Sequence, residues 1–172
     1  MATKMTAWVP ACEMESAKTS GATATDLKAD VGKPDMKVWQ ICPSLDFANG
    51  SDSYAQFQVA FPEEWDEGVV TFQAFWSVAA VVTTGVAIAL QGVSVPDGST
   101  IDGYGTAVVV TDNAISSTES SFVTDESEAL TIASAGAGSI THFQAFRDVS
   151  DGNDDMTQDL KLLGIKVFYT EV

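Results

Sequence analysis

Residues 68–95, GVVTFQAFWSVAAVVTTGVAIALQGVSV, decide the fold of this chain. On either side of a turn at residues 83–85, larger apolar side chains alternate with smaller or polar ones. A strand that buries one of its faces has this period of two residues. No charged residue occurs anywhere in the stretch. It therefore predicts two long strands that form a buried hairpin at the centre of a β-sandwich.

Further alternating stretches lie on both sides of the central one. In residues 54–61, YAQFQVAF, the apolar side chains face one way while Gln56 and Gln58 face the other. Residues 140–149 and 160–170 repeat the pattern, and Gly164 in the second of them is a predicted β-bulge. Turn-forming residues separate the stretches, and no long helical pattern occurs. The predicted fold class is all-β, a single jelly-roll-like β-sandwich of about eight to ten antiparallel strands.

Composition divides the chain into two parts. Residues 35–172 hold the strand pattern and are predicted to form the β-sandwich domain. Residues 1–34 are predicted to form an extended N-terminal arm or loop. Most of this segment is small and polar with little periodicity, and Pro10 removes a backbone donor from the short apolar stretch near its start. An arm of this kind can lie on a neighbouring subunit.

The charge balance limits the classes of partner. The 172 residues carry a formal net charge of −16, with only eight Lys and Arg, while a hydrophobic fraction of 45% is enough for a sizeable core. Nucleic acid is excluded as an expected partner, because phosphate binding needs clustered basic residues. The acidic residues are expected to form a solvated surface. A salty medium or a basic partner surface is the alternative explanation of the charge.

The two cysteines, Cys12 and Cys42, are far apart in the sequence and belong to no Cys-x-x-Cys motif. We expect unpaired, buried thiols, with a disulfide between the two as the alternative. The N-terminus lacks the apolar segment of a secretion signal. Residues 68–95 are long enough to span a membrane, but Gln73, Gln91 and the turn interrupt any continuous apolar helix. No membrane contact is therefore predicted.

Catalytic patterns are weak throughout. His142 is the only histidine, and no G-x-S-x-G motif is present, so a Ser-His-Asp triad is not indicated. One histidine and two distant cysteines give no ligand spacing for a transition metal. Carboxylates for glycoside hydrolysis are so abundant that a pair of them would be uninformative. We predict no enzymatic activity and no cofactor, and a structural role for the His142 imidazole.

One acidic turn resembles a cation site. Asp151, Asn153 and Asp155 form a D-x-N-x-D series, which can offer several oxygens to Ca²⁺. The glycine stands at the second position of the series, and Leu162 stands where an EF-hand loop has its bidentate glutamate. A solvated turn is therefore the default interpretation, and Ca²⁺ binding is the alternative.

Three aromatic side chains are candidates for contact with a partner or a glycan. They are Trp8, Trp65 and Tyr104. Trp65 lies in a charged turn, residues 62–68, and is expected to be exposed. Trp76 lies in the apolar central stretch and is expected to be part of the core. Exposed aromatic rings of this kind can stack on sugars, as they do in carbohydrate-binding sandwiches.

Several short segments of the chain, in their order and spacing, resemble a family of small virion proteins of tailed bacteriophages and prophages. They are WVPA (8–11), LDF (45–47), YAQFQVAFPEEWDEGVVTF (54–72), WS (76–77), LQGVSV (90–95), FRDV (146–149) and LLGIKVFYT (162–170). The match spans most of the chain, although none of the segments is catalytic. The chain departs from the family in the segments that carry the cysteines and in residues 112–128.

The resemblance implies an accessory structural protein on the outside of a virion that is assembled in the host cytoplasm. It implies a β-sandwich that forms homo-oligomers, with a trimer favoured, and that binds the phage capsid or other virion proteins. A capsid decoration or cement protein is the main expectation. A tail-fibre or head-fibre module that binds a receptor or carbohydrate is the alternative.

Overall fold

The computed structural model describes residues 1–17, 34–39, 41–100, 103–115 and 120–172. Within these ranges lie eleven strands and a 3-10 helix at Ala11–Glu13. The strands are β1 (Thr3–Pro10), β2 (Glu15–Ala17), β3 (Asp35–Trp39), β4 (Cys42–Phe47), β5 (Ser53–Ala60), β6 (Thr71–Ser77), β7 (Gly85–Val95), β8 (Val108–Asn113), β9 (Ser121–Val123), β10 (Ile140–Arg147) and β11 (Leu160–Glu171). In the part of the chain described here, no helix is both long and apolar enough to cross a membrane.

The strands form two antiparallel sheets. The six-stranded sheet has the order β3-β4-β11-β6-β9, and β1 also pairs with β11. The five-stranded sheet has the order β2-β5-β10-β7-β8. The inner faces of both sheets contribute to one hydrophobic core, in which Phe57 and Phe143 stack with their ring centres 5.1 Å apart. The predicted all-β, jelly-roll-like sandwich is confirmed.

Strand β11 organises the six-stranded sheet. Along one edge it pairs with β6. Along the other edge it pairs first with β4, at residues 160–162, and then with β1, at residues 164–171. The register with β6 shifts between Leu162 and Gly164, as the bulge prediction required. A Cβ atom at Gly164 would lie 2.3 Å from Cη2 of Trp8, so only glycine lets that ring lie across the strand.

The central stretch is not a hairpin. Its first strand, β6, belongs to the six-stranded sheet, whereas its second strand, β7, belongs to the five-stranded sheet, so residues 78–84 cross from one sheet to the other. The alternation of side chains correctly indicated two strands, because it reports which side chains are buried. It carries no information on the neighbouring strand, and for this reason the predicted pairing was wrong.

The first part of the predicted N-terminal arm belongs to the sandwich. Strand β1 pairs with β11 over eight residues, and β2 pairs with β5 in the opposite sheet. The boundary at residue 34 is therefore corrected for residues 1–17. Residues 18–33 of the predicted arm lie outside the described residues. Its alternation was hard to recognise because the outward face carries the apolar Trp8 and Pro10, while the inward face carries the small Ala7 beside Val9.

Candidate functional site

A groove of about 310 Å³ opens on the outward face of the five-stranded sheet. Besides Phe57, whose side chain is buried in the core, the residues that line it are Glu13, Glu15, Gln56, Gln58, Tyr104 and His142. Strands β5 and β10 supply the two glutamines and the histidine, and β2 supplies Glu15. The lining thus combines one aromatic ring with amide, imidazole and carboxylate groups.

Strand register brings these polar groups together. His142 pairs with Gln58, and Gln56 has Glu15 opposite it on its other neighbour. Residues opposite each other in adjacent strands share a face, while the next residue along each strand points the other way. Phe57 and its partner Phe143 accordingly point into the core. Inward phenylalanines therefore fix the outward direction of the polar groups beside them.

Polar side chains extend the row beyond the groove. Gln144 lies opposite Gln56 on one side and Gln91 on the other. Nε2 of Gln91 donates a hydrogen bond of 2.7 Å to Oε1 of Gln144, and both side chains are buried although they lie on the outward face. An amide pair held in this way is rigid, because its rotation would leave a buried polar group unpaired. The pair lies next to Gln56 on the same face of the sheet.

Tyr104 reaches the groove from the segment before β8. The backbone N–H of Gly105 donates to the carbonyl of Gly92 at 3.1 Å and holds this segment against β7. A Cβ atom at Gly105 would lie 3.0 Å from the carbonyl oxygen of Thr131, so glycine permits the close approach. Tyr104 is half-buried, and this burial raises the pKa of its phenol above the ordinary value of 10.0. Its hydroxyl therefore stays protonated at neutral pH and can donate a hydrogen bond.

The sequence assigned the His142 imidazole a structural role, whereas the structure places it, half-exposed, in the wall of the groove. Among the residues that the structure describes, no Ser, Thr or Cys lines the groove beside it. A histidine needs such a neighbour to activate a nucleophile of that kind. The imidazole and the amide groups beside it can each donate and accept hydrogen bonds.

Trp65 is not exposed. Its side chain is only 2% accessible and packs against Phe61 with the ring centres 4.5 Å apart. The turn that carries it is fastened to the end of β11, where the N–H of Asp66 donates to the carbonyl of Thr170. The charged residues around Trp65 face water, and its indole turns inward. The prediction of an exposed contact residue was wrong here.

Trp8 is exposed, but it lies on the outward face of the six-stranded sheet, away from Tyr104. Half of its side chain is accessible. A second groove, of about 300 Å³, lies beside it and is lined mainly by apolar groups. Cys12 and Cys42 both border this groove as free and exposed thiols, which corrects the expectation that they are buried. The three candidate aromatic residues thus do not form a single site.

The acidic turn uses its oxygens within the fold. Oδ1 of Asp151 accepts from both the backbone and the side-chain nitrogen of Asn153. Oδ1 of Asp155 accepts from the N–H of Gly85 at 2.6 Å. Within the described residues, no group of three or more His, Cys, Asp or Glu side chains could hold a metal ion. The carboxylates of the turn thus accept hydrogen bonds from the chain itself, while Ca²⁺ binding stays a prediction.

Comparisons with known proteins found similarity in the fold only. No protein-family model and no curated protein matches it. Similar solved structures include the CBM36-1 domain of a multidomain xylanase from the hindgut metagenome of Trinervitermes trinervoides, at 7% identity, 96% coverage of both chains and a TM-score of 0.47.

Two further solved structures have the same general form. The mannan-recognising carbohydrate-binding module TmCBM27 has 8% identity, 97% coverage of this chain, 98% of that chain and a TM-score of 0.46. The family 11 carbohydrate-binding module from Clostridium thermocellum has 10% identity, 96% and 82% coverage and a TM-score of 0.40. At these identities the similarity concerns the fold alone.

Proposed function

We propose that this chain is a non-enzymatic module that binds a neutral carbohydrate in the groove beside Tyr104. In the context implied by its sequence, it would serve as a receptor-binding or carbohydrate-binding part of a phage particle. One observation carries the proposal: the ring of Tyr104 shares a groove with hydrogen-bonding side chains that rigid strands hold in place.

The chemistry of the groove suits a sugar. A sugar ring presents apolar C–H groups on its faces and hydroxyl groups at its edge, and each hydroxyl both donates and accepts hydrogen bonds. An aromatic side chain offers an apolar surface to the faces. Gln56 and Gln58 each carry a donor and an acceptor that match the hydroxyls. Both glutamines project from β5, and the strand fixes the direction in which their side chains leave the sheet.

The charge of the groove selects against acidic sugars. Glu13 and Glu15 place two carboxylates at its border, and the chain as a whole has a net charge of −16. Uronic acids and sulfated sugars would be repelled by this field. A neutral saccharide is therefore the expected ligand class.

The same two carboxylates are poorly arranged for glycoside hydrolysis. A glycosidase needs one carboxylic acid that stays protonated near neutral pH, and burial is the usual means of keeping it so. Glu13 and Glu15 are both exposed. This supports binding without cleavage.

A capsid decoration or cement role is the second candidate. It is supported by the sequence resemblance to small phage virion proteins and by the exposed apolar surface around Trp8, which a partner protein could cover. In this role the protein would act as a homo-oligomer, with a trimer favoured, on the outside of the virion. The two roles use opposite sheets and are compatible in one molecule.

A binding measurement with matched variants tests the carbohydrate proposal. We expect the wild-type chain to bind one or more neutral oligosaccharides on a glycan array. Tyr104→Ala should weaken that binding about tenfold or more. Trp8→Ala removes an exposed aromatic residue from the opposite sheet and should leave it unchanged. Absence of binding to every neutral glycan, or equal losses in the two variants, would reject the proposal.

The virion context needs a separate measurement. Mass spectrometry of purified phage particles should detect the chain as a component. If the chain is absent from particles that package DNA normally, the virion role is rejected. Carbohydrate binding by the isolated protein is tested separately, by the glycan array.

A further inference from the structure

An apolar surface crosses the outward face of the six-stranded sheet. Strand register aligns Pro10, Gly164, Phe75 and Val123 in one row across β1, β11, β6 and β9. Trp8 fills the space above Gly164 and meets Phe75 edge-on, with the ring centres 5.0 Å apart. We refer to Trp8, Pro10, Phe75 and Val123 together as the Trp8 platform.

Much of the Trp8 platform is open to water. Trp8 is 50% and Val123 44% accessible. The groove beside it is bordered by further weakly polar or apolar side chains, among them Pro43 and Leu163. Covering such a surface removes apolar area from water and is favourable.

The chemistry of the platform indicates the class of its occupant. Among the described side chains that line its groove, the Trp8 indole is the one strong hydrogen-bond donor. A sugar needs several hydrogen bonds besides stacking, and the groove beside Tyr104 on the other sheet offers them. The apolar side chains of another protein need none. A protein surface is therefore the better match for the platform.

The charge distribution indicates which protein surface would bind the platform. The described part of the chain has four lysines, and all of them occupy outward positions of the six-stranded sheet. They are Lys4, Lys37, Lys161 and Lys166. Nζ of Lys161 lies 2.6 Å from Oδ2 of Asp46, and Nζ of Lys4 lies 2.5 Å from Oε1 of Glu126. Positive and negative charges thus offset each other on this face of a chain whose net charge is −16.

Two copies of a strongly acidic chain repel each other over most of their surfaces, and least where lysines balance the carboxylates. The face that allows the closest approach is therefore the same face that exposes Trp8 and Val123. We propose that the Trp8 platform is the surface through which copies of this chain associate, with the platform of one copy packed against that of a second. Because the groove beside Tyr104 is on the other sheet, it remains open in the assembly.

Sedimentation velocity of the full chain over a range of concentrations tests this. A mass of twice 18.1 kDa is expected for the wild type, because a platform packed against a second platform closes a two-fold contact. Val123→Asp should raise the dissociation constant about tenfold or more, because it places a charge in the middle of the contact. Val109→Asp is the matched control. Val109 is also an exposed valine on the edge strand of a sheet, but of the opposite one, and the substitution changes the net charge equally.

A monomeric wild type at every concentration overturns the proposal, and so do equal effects of the two valine variants. If Val123→Asp fails to fold, covalent cross-linking of a chain with an unchanged platform tests the same contact. With Cys12→Ser removing the other exposed thiol of this groove, a short bismaleimide should link two copies through Cys42 at the border of the platform. Absence of any covalent dimer under these conditions also overturns it. Neither result bears on sugar binding, which the array measures independently.

Discussion

Arg147 and Asp154 form a two-point ion pair in the interior of the sandwich. Nε of Arg147 lies 2.9 Å from Oδ2 of Asp154, and Nη2 lies 2.7 Å from Oδ1. Their side chains are 0% and 3% accessible. The guanidinium also donates to the carbonyls of Met156 and Gln158. A single buried cation therefore fastens the loop between β10 and β11 to the end of β10.

Removal of one partner from this pair should be costly. Asp154→Asn leaves the Arg147 charge buried without its counter-charge, and we expect a loss of about 3–5 kcal/mol in the free energy of unfolding. Urea unfolding at neutral pH measures it. Asp151→Asn, in the same loop, disturbs hydrogen bonds within a surface turn and should cost about 1 kcal/mol. Similar losses in both variants would show that the ion pair has no special role.

Gly164→Ala should destabilise the protein by about 1–3 kcal/mol, since the added methyl group has no room. It would lie 2.3 Å from Cη2 of Trp8 and 2.8 Å from the carbonyl oxygen of Val9. Thermal unfolding checks the size of the loss. Gly50→Ala is the control, because a Cβ atom there meets nothing within 4 Å. With Trp8→Ala already present, Gly164→Ala should cost less than it does alone, because part of the overlap is gone. Full additivity of the two changes would contradict the packing described.

Glu126 should make stability depend on pH in a defined direction. Its carboxylate accepts hydrogen bonds from Lys4 and Thr71, and these lower its pKa below the ordinary value of 4.5 in the folded chain. A carboxyl group with a lowered folded-state pKa stabilises the protein above its unfolded pKa, and the contribution disappears as the pH falls through the folded pKa.

Glu126→Gln should therefore lower stability slightly at pH near 7, by less than Asp154→Asn does, because the pair is partly exposed and screened by water. The difference from the wild type should shrink as the pH drops below about 4.5. Urea midpoints across this pH range provide the measurement, with the exposed neighbour Glu128→Gln as control. A difference that grows on acidification would contradict the assignment.

Local patterns in the sequence were sufficient to predict which side chains of a strand face inward. Residues 54–61 are an example: Phe57 is buried and Gln58 exposed, as the alternation indicated. The period of two is a property of each strand alone. Which strands pair is decided by packing between distant segments, and for this reason the assignment of β6 and β7 to one hairpin failed.

The candidate groove was visible in the sequence only in part. Tyr104 was named as a possible glycan contact, and residues 54–61 indicated that Gln56 and Gln58 face outward. Nothing local placed His142 beside them, since that proximity results from the register between β5 and β10. The prediction for Trp65 was wrong for a different reason. Its acidic neighbours suggested exposure, while its own large apolar surface was buried by contact with Phe61.

The pairing of β1 with β11 joins Thr3 to Glu171, so the six-stranded sheet closes through a contact that spans almost the whole sequence. Closing so large a loop costs entropy before any contact repays it, and proteins dominated by such non-local contacts fold slowly. Until β1 pairs with it, β11 has unpaired backbone groups along one edge. These groups and its apolar side chains can contact other incompletely folded chains. Mutual repulsion between chains of net charge −16 then protects the protein while it folds, by keeping incomplete molecules apart long enough for each to finish.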